Sequence, residues 1–126
     1  MRYLVDTHGF IFWVSNQLQR LRPSTTELIA STDNEIFVSA ISAYEISLKR
    51  KLGKLSFPPD IASCIASGGF LELPLTSKQA QVAGNLELVH RDLFDRLLAA
   101  QAIEQRMSLI TLDGAIASLG APVVAA

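Results

Sequence analysis

The stretch LVDTHGFIFWVS, residues 4–15, joins a short apolar run to a segment of helical character through Asp6. The run Arg2–Val5 has the length and composition of a buried strand, and the residues from about Gly9 onward are typical of a helix. A carboxylate beside a buried strand loses hydration, and a backbone donor, a basic partner or a metal ion must compensate for that loss. This junction therefore predicts a strand–helix unit with a functional site at its turn.

Three further apolar runs are bounded by turn or helix-capping residues and are separated by segments of helical character. They are Glu35–Val38, Phe70–Leu73 and Ser108–Thr111. Helices between consecutive strands favour parallel pairing through right-handed crossovers, with helices on both faces of the sheet. The sequence therefore predicts an α/β fold of three layers, α/β/α, around a small parallel sheet of four or five strands.

Capping residues predict where the helices begin, and small residues or the end of the apolar pattern predict where they end. The predicted ranges run from Ser24, with Glu27 closing a capping box, to about Ser31, from Ser39 or Ser42 to Gly53, from Thr76 towards Gly84, and from Asp92 to about Gln105. The last of these helices is apolar nearly all round, so we expect it to be the most buried helix.

Composition limits the class of protein. The 126 residues, 49% of them hydrophobic, suffice for one domain, residues 1–126, with a core of its own. The single cysteine, Cys64, excludes an internal disulfide and a cysteine-based metal site, which favours a reducing, cytoplasmic location. No signal peptide or membrane span is expected. A net charge of −1 gives no global attraction to nucleic acid, so any polyanion must bind a local patch.

Five acidic residues fall at the ends of predicted buried elements, and each of them could cap a helix by accepting backbone N–H bonds. They are Asp6, Glu45, Asp92, Asp95 and Asp113. The carboxyl ends of parallel strands share one edge of a sheet, so Asp6 and Asp113 should meet there. Glu45 and Asp95 lie in the first turns of helices that begin at the same edge. Asp92 is the acid that capping explains best.

Electrostatics decides between capping and a metal site if these carboxylates converge. A pair about 4 Å apart repels by roughly 4 kcal/mol at an effective dielectric constant near 20, whereas a helix cap contributes only about 1 kcal/mol. A divalent cation reverses the sign of that balance, and carboxylate oxygens suit Mg²⁺ or Mn²⁺ better than Zn²⁺. Convergence of the acids therefore predicts a metal site.

Four stretches of the chain resemble a PIN-domain protein of the VapC toxin type. They are LVDTHGFIFWVS (Leu4–Ser15), FVSAISAYEISLKRKLGKL (Phe37–Leu55), HRDLFDRLLAAQA (His90–Ala102) and LITLDGAIASLGAPVV (Leu109–Val124). The order and spacing of the motifs match the family almost from end to end. The chain departs from the usual pattern at Tyr44, Leu93 and Leu112, where tryptophan, proline and arginine are frequent.

This resemblance implies a PIN-like, Rossmann-like fold and a metal-dependent ribonuclease. It implies that Asp6, Glu45, Asp95 and Asp113 hold one or two Mg²⁺ or Mn²⁺ ions, with Asp92 as a further candidate. It also implies a homodimer neutralised by a cognate antitoxin, with RNA as the substrate.

Basic residues near the acids are candidates for contact with RNA phosphates. They are Lys49, Arg50, Lys51, Arg91 and Arg96. Cations near a helix C-terminus also interact favourably with the helix dipole, and the two arginines beside Asp95 could pair with carboxylates instead. For His8 and His90 we expect surface or hydrogen-bonded positions, because a metal-activated water needs no histidine base.

Two other functions compete with the nuclease. A non-catalytic relative that only binds an antitoxin would keep the fold without the chemistry. A phosphoryl-receiver signalling domain would also be a small α/β fold with a Mg²⁺ pocket, but it requires paired acids after the first strand and a lysine after a late one. In this sequence Val5 precedes Asp6, and no lysine follows Leu73 or Thr111.

Overall fold

A five-stranded parallel sheet, in the order β3-β2-β1-β4-β5, forms the centre of the fold in a computed structural model that describes residues 1–90 and 92–126. The strands are β1 (Arg2–Val5), β2 (Glu35–Ser39), β3 (Leu71–Leu73), β4 (Ser108–Thr111) and β5 (Val123–Ala125). The four predicted strands are confirmed, with β3 beginning one residue later than expected. The fifth strand pairs with β4 at the edge of the sheet.

The described residues contain six α-helices and two 3-10 turns. The helices are α1 (Thr7–Val14), α2 (Pro23–Ala30), α3 (Ala40–Lys51), α4 (Ile61–Ser67), α5 (Ser77–Asn85) and α6 (Leu93–Gln105), and the 3-10 turns are Leu18–Arg20 and Gly114–Leu119. Among the residues described, no helix combines the length and the apolar character needed to cross a bilayer.

The predicted caps are confirmed for three helices. Ser39 caps α3, Thr76 caps α5 in a complete capping box, and Asp92 caps α6. The prediction that Ser24 caps α2 was wrong, because Pro23 occupies the first turn and the helix begins after Arg22 without a side-chain cap. Proline suits that position since its missing N–H would have no helical partner there.

Two apolar clusters, one on each face of the sheet, confirm the three predicted layers. Successive residues of a strand point to opposite faces, so Leu4 enters one cluster and Val5 the other. Val5 packs with Phe10 of α1 and Ile46 of α3, whereas Leu4 packs with Leu98 and other residues of α6. The sheet is therefore covered by α1 to α4 on one face and mainly by α6 on the other.

A chain of buried amides connects α6 to the sheet and to α5. The Ser39 hydroxyl donates to Gln101 Oε1 over 2.5 Å, and Gln101 Nε2 donates to Gln79 Oε1 over 3.1 Å. Gln79 Nε2 in turn donates to Glu104 Oε1 over 3.1 Å. Ser39 and Gln101 are fully buried. This network, Ser39–Gln101–Gln79–Glu104, joins three elements through polar groups that each have a partner.

The order of the strands indicates where a ligand-binding crevice lies and argues against one competing function. The chain moves from β1 outward to β2 and β3 on one side and returns to β4 and β5 on the other, so β1 and β4 flank the switch point where ligands bind in open α/β sheets. Receiver domains have the order 2-1-3-4-5. The observed order differs, which argues against the receiver reading.

Candidate functional site

The five acids predicted to lie at the ends of buried elements line one cavity of about 520 Å³ at the carboxyl edge of the sheet. They are Asp6, Glu45, Asp92, Asp95 and Asp113. The cavity lies at the switch point because Asp6 directly follows β1 and Asp113 follows β4 by two residues. Elements that are distant in sequence thus bring the carboxylates to one place.

Asp6 is buried and both of its carboxylate oxygens accept hydrogen bonds. Oδ1 accepts the backbone N–H of Gly9 over 2.8 Å, which caps α1. Oδ2 accepts the Thr111 hydroxyl over 2.8 Å and the backbone N–H of Leu112 over 3.0 Å. A Cβ at Gly9 would lie 2.8 Å from Val5 Cγ2 and 3.1 Å from Asp6 Oδ1, so only glycine fits this close turn. The protein therefore fixes the orientation of Asp6 with three donors.

Glu45 is also buried and is held between a hydroxyl and an ammonium group. Its Oε1 accepts the Thr7 hydroxyl over 2.7 Å, and its Oε2 pairs with Lys49 Nζ over 2.7 Å. The Ser42 hydroxyl lies 2.9 Å from that of Thr7. Of the two serines predicted to begin α3, Ser39 is therefore the cap, while Ser42 lies inside the helix and bonds to Thr7 as Glu45 does.

Asp95 and Asp113 converge with a histidine. His90, Asp95 and Asp113 offer ligand atoms that all lie within 4.8 Å of one another. His90 Nε2 is 2.9 Å from Asp95 Oδ2, so this histidine is hydrogen-bonded, as expected, while His8 is exposed on the cavity wall. His90 was not predicted to be a metal ligand. The only feature of the sequence that could have indicated this role is the position of His90 five residues before Asp95.

Burial raises the pKa of the Asp95 carboxyl above its ordinary value of 3.8. The hydrogen bond from His90 opposes this shift, and the negative charges of Asp92 and Asp113 reinforce it. Asp92 is exposed and accepts the backbone N–H of Asp95 over 2.9 Å, which is the capping role that the sequence favoured. Asp113 is exposed and accepts the backbone N–H of Ala115 over 3.0 Å.

The basic candidates divide into different roles. Lys49 lines the cavity and pairs with Glu45, whereas Arg50 Nε donates to the Phe57 carbonyl over 2.6 Å and Lys51 is exposed. Arg91, which was predicted to contact substrate, lies outside the described residues.

Arg96 was predicted to contact an RNA phosphate or to pair with a carboxylate, whereas within residues 1–90 and 92–126 its guanidinium donates to backbone carbonyls. It is 9% exposed and donates to four backbone carbonyls at 2.7 to 3.0 Å. Those carbonyls belong to Ala83, Leu86, Glu87 and His90. Arg96 thus ties the segment between α5 and α6 to the start of α6, where Asp92 and Asp95 lie.

Asp95→Asn is expected to make the metal-free protein slightly more resistant to urea at pH 7. The folded state holds the Asp95 proton to a higher pH than the unfolded chain, so the free energy of unfolding falls as the pH rises from 3.8 through the raised pKa. Asparagine removes this loss, and we expect the urea midpoint in EDTA to rise by about 0.3 M. The difference should shrink towards pH 4, and a lower midpoint for the variant at pH 7 would contradict the assignment.

Comparison with solved structures and with protein families gives a consistent result. DNA-bound VapBC from Salmonella typhimurium has a chain 15% identical to this one, with a TM-score of 0.71 over 98% of this chain and 97% of that chain. VapBC2 from Rickettsia felis, bound to a promoter DNA fragment, has one 16% identical, with a TM-score of 0.65 and 98% of each chain covered. A toxin–antitoxin complex from Klebsiella pneumoniae has one 21% identical, with a TM-score of 0.58 over 98% of this chain and 96% of that chain.

These likenesses concern the fold, because the identities are low. No curated protein matches the sequence as a relative. The family model of the PIN domain matches residues 3–122, which covers β1 from Tyr3 onward, β2, β3, β4 and the six helices of the described residues. The chain therefore belongs to the PIN-domain family.

Proposed function

We propose that this protein is a metal-dependent endoribonuclease that acts as the toxin of a toxin–antitoxin pair. Its membership of the PIN-domain family and its likeness to VapBC complexes support this assignment. The observation with the greatest weight is the convergence of Asp95, Asp113 and His90, with ligand atoms within 4.8 Å, in the cavity that Asp6 and Glu45 also line.

The donor set of the cavity fits Mg²⁺ or Mn²⁺. Carboxylate oxygens are the ligands these ions prefer. The raised pKa of Asp95 reflects its burial and its repulsion by neighbouring carboxylates, and a bound cation would offset both costs. We propose that Asp6, Asp95 and Asp113 hold one or two ions, with Glu45 contributing directly or through water. A bound ion would lower the pKa of a water molecule and offset the charge that develops on the scissile phosphate.

The protein's own groups prepare the site for such an ion and for RNA. Thr111 and the Leu112 amide hold Asp6, and Thr7 holds Glu45, so neither carboxylate has to be ordered when an ion binds. Lys49 Nζ stands on the cavity wall beside Glu45 and has further N–H groups that can donate to a phosphate oxygen. These groups would orient the ligands and the phosphate, while water acts as the nucleophile.

Cleavage of a panel of transfer, ribosomal and messenger RNA tests the proposal. We expect cleavage in Mg²⁺ or Mn²⁺, none in EDTA, and a loss of about 10²-fold or more in Asp95→Asn, because a carboxylate at the convergence point is removed. Activity in EDTA, or full activity in the variant, would contradict the mechanism. Absence of any cleavage by the folded wild-type protein would favour a non-catalytic, antitoxin-binding role.

The proposed partners are a cognate antitoxin and a second copy of the chain. The similar structures include VapBC assemblies, which supports an antitoxin. Exposed apolar side chains on α3 and at the start of α6 support a homodimer, because monomeric surfaces seldom group such residues. Tyr44 and Leu48 lie one turn apart on α3, and the Tyr44 ring is 6.0 Å from that of Phe94, which adjoins the exposed Leu93.

Leu93→Glu is expected to convert the dimer into a monomer. Leu93 is 64% exposed, so a glutamate there costs little in the isolated chain but would be buried without a partner in the dimer. Light scattering after size-exclusion chromatography measures the mass, with Leu75→Glu, an exposed leucine outside both α3 and α6, as the control. A variant with unchanged mass would place the interface elsewhere, and a monomeric wild type would refute the dimer.

A further inference from the structure

A second cavity, of about 530 Å³, adjoins the acidic cavity. Arg20 and Leu112 line both of them, so these two side chains form the boundary between the cavities. The second cavity lies between the 3-10 turn Leu18–Arg20 and the end of the chain, and Ala125 and Ala126 form part of its wall. Any extended ligand that leaves the acidic cavity on this side must pass Arg20.

The two cavities differ in charge. Among the described residues, the charged side chains that line the second cavity are Arg20 and Arg22, and both are exposed. No ion pair links either of them to a carboxylate in the described part of the chain. A positively charged cavity beside an acidic one suits a ligand that carries a negative charge at regular intervals.

The Arg20 guanidinium is held in place before any ligand binds. Its central carbon lies 4.3 Å from the centroid of the Phe12 ring, which is a close cation–π contact. Phe12 is half-buried and also lines the acidic cavity. Because the guanidinium uses its flat face for the ring, the N–H groups on its edge stay available for a phosphate.

We propose that Arg20, oriented by Phe12 and assisted by Arg22, binds the phosphate of the nucleotide next to the scissile bond, so that the second cavity is a subsite for single-stranded RNA. The proposal rests on the ribonuclease function. It assigns to the chain a phosphate-binding pair distinct from the basic residues of α3. A polyanion fits better than a peptide because, among the described residues, both charged side chains that line this cavity are guanidinium groups.

Binding of a labelled single-stranded oligoribonucleotide of about 12 residues tests this subsite across a range of salt concentrations. The measurement uses Asp6→Asn protein in Mg²⁺, and is repeated with wild-type protein in EDTA. In both, Arg20→Gln should weaken binding about 5- to 10-fold and reduce the slope of log K against log salt by about 0.7, the value for one lost phosphate contact on a single strand.

Arg2→Gln is the matched control. Arg2 also lies over an aromatic ring, 5.3 Å from the centroid of Phe37, but it belongs to the opposite edge of the sheet. This control should leave affinity and slope unchanged. Phe12→Leu should also weaken binding, but by less than Arg20→Gln, because Arg20 keeps its charge and loses only its cation–π contact with the ring.

The possible results separate the subsite from the function itself. Equal slopes for Arg20→Gln and Arg2→Gln would overturn the subsite, even if wild-type protein cleaves RNA and Asp6→Asn does not. Cleavage by Asp6→Asn at the wild-type rate would instead contradict the proposed metal-dependent function. A Glu-rich peptide serves as the second probe. If Arg20→Gln weakens its binding and leaves RNA binding unchanged, the cavity belongs to a protein partner and the RNA assignment is wrong.

Discussion

Asp6→Asn is expected to lower metal-dependent RNA cleavage by about 10²- to 10³-fold, the loss typical of removing one preorganised electrostatic group. Asparagine keeps the size of the side chain and can still accept the Gly9 N–H. It loses the negative charge, and its NH₂ group would face the Leu112 N–H if its oxygen stays on Gly9. We therefore expect calorimetric titration with Mn²⁺ to show weaker binding, together with a modest loss of stability of about 1 kcal/mol.

Asp60→Asn is the control for this substitution. Asp60 caps α4 by accepting the Ser63 N–H over 3.1 Å, so it performs the same capping role as Asp6 at an exposed position outside the cavity. Cleavage and Mn²⁺ affinity should be unchanged in Asp60→Asn. If the two variants lose the same activity, the effect arises from helix capping, and Asp6 is not a metal ligand.

Arg96→Met is expected to cost about 3 kcal/mol of unfolding free energy, because carbonyl groups that now share one guanidinium would lose their donor. Methionine retains most of the apolar volume, so the loss reports the hydrogen bonds more than the packing. With a urea m-value of about 2 kcal/mol per molar, the midpoint should fall by about 1.5 M.

Arg2→Met removes the same charge from an exposed arginine and should cost less than about 1 kcal/mol. The comparison also tests the corrected role of Arg96. A variant with wild-type stability that fails to bind RNA would restore the original prediction of a phosphate contact. Full stability and full RNA binding together would show that neither role is correct.

The fold was predictable because its signals are local. Each of the first four strands is a short apolar run with turn or capping residues on both sides. Thr76 and Asp92 are residue types that commonly cap helices, and each of them caps the helix that follows it. The strand Val123–Ala125 carries a weaker signal, since three residues at the edge of a sheet show no clear alternation. Ser24 misled the prediction because a serine in the first turn resembles a serine at the cap.

The convergence of the acids was predictable from topology, whereas their partners were not. Parallel strands place Asp6 and Asp113 at one edge whatever the details of packing. The hydroxyls that hold the carboxylates come from Thr7 and Thr111, and a threonine beside an acid is equally typical of a strand end or a cap. The role of Arg96 depends on where the segment between α5 and α6 turns, which no local pattern indicates.

The buried network Ser39–Gln101–Gln79–Glu104 has a consequence for the distant cavity. Asp95 lies six residues before Gln101 on α6, or about 9 Å along the helix axis. A slide of α6 by a single residue, about 1.5 Å, would break the bond to Ser39 at the end of β2. An apolar contact would tolerate such a slide, since hydrophobic packing is not directional. Gln101 does not line the cavity, yet its bond to Ser39 fixes the position of Asp95 along the axis of α6 relative to the sheet.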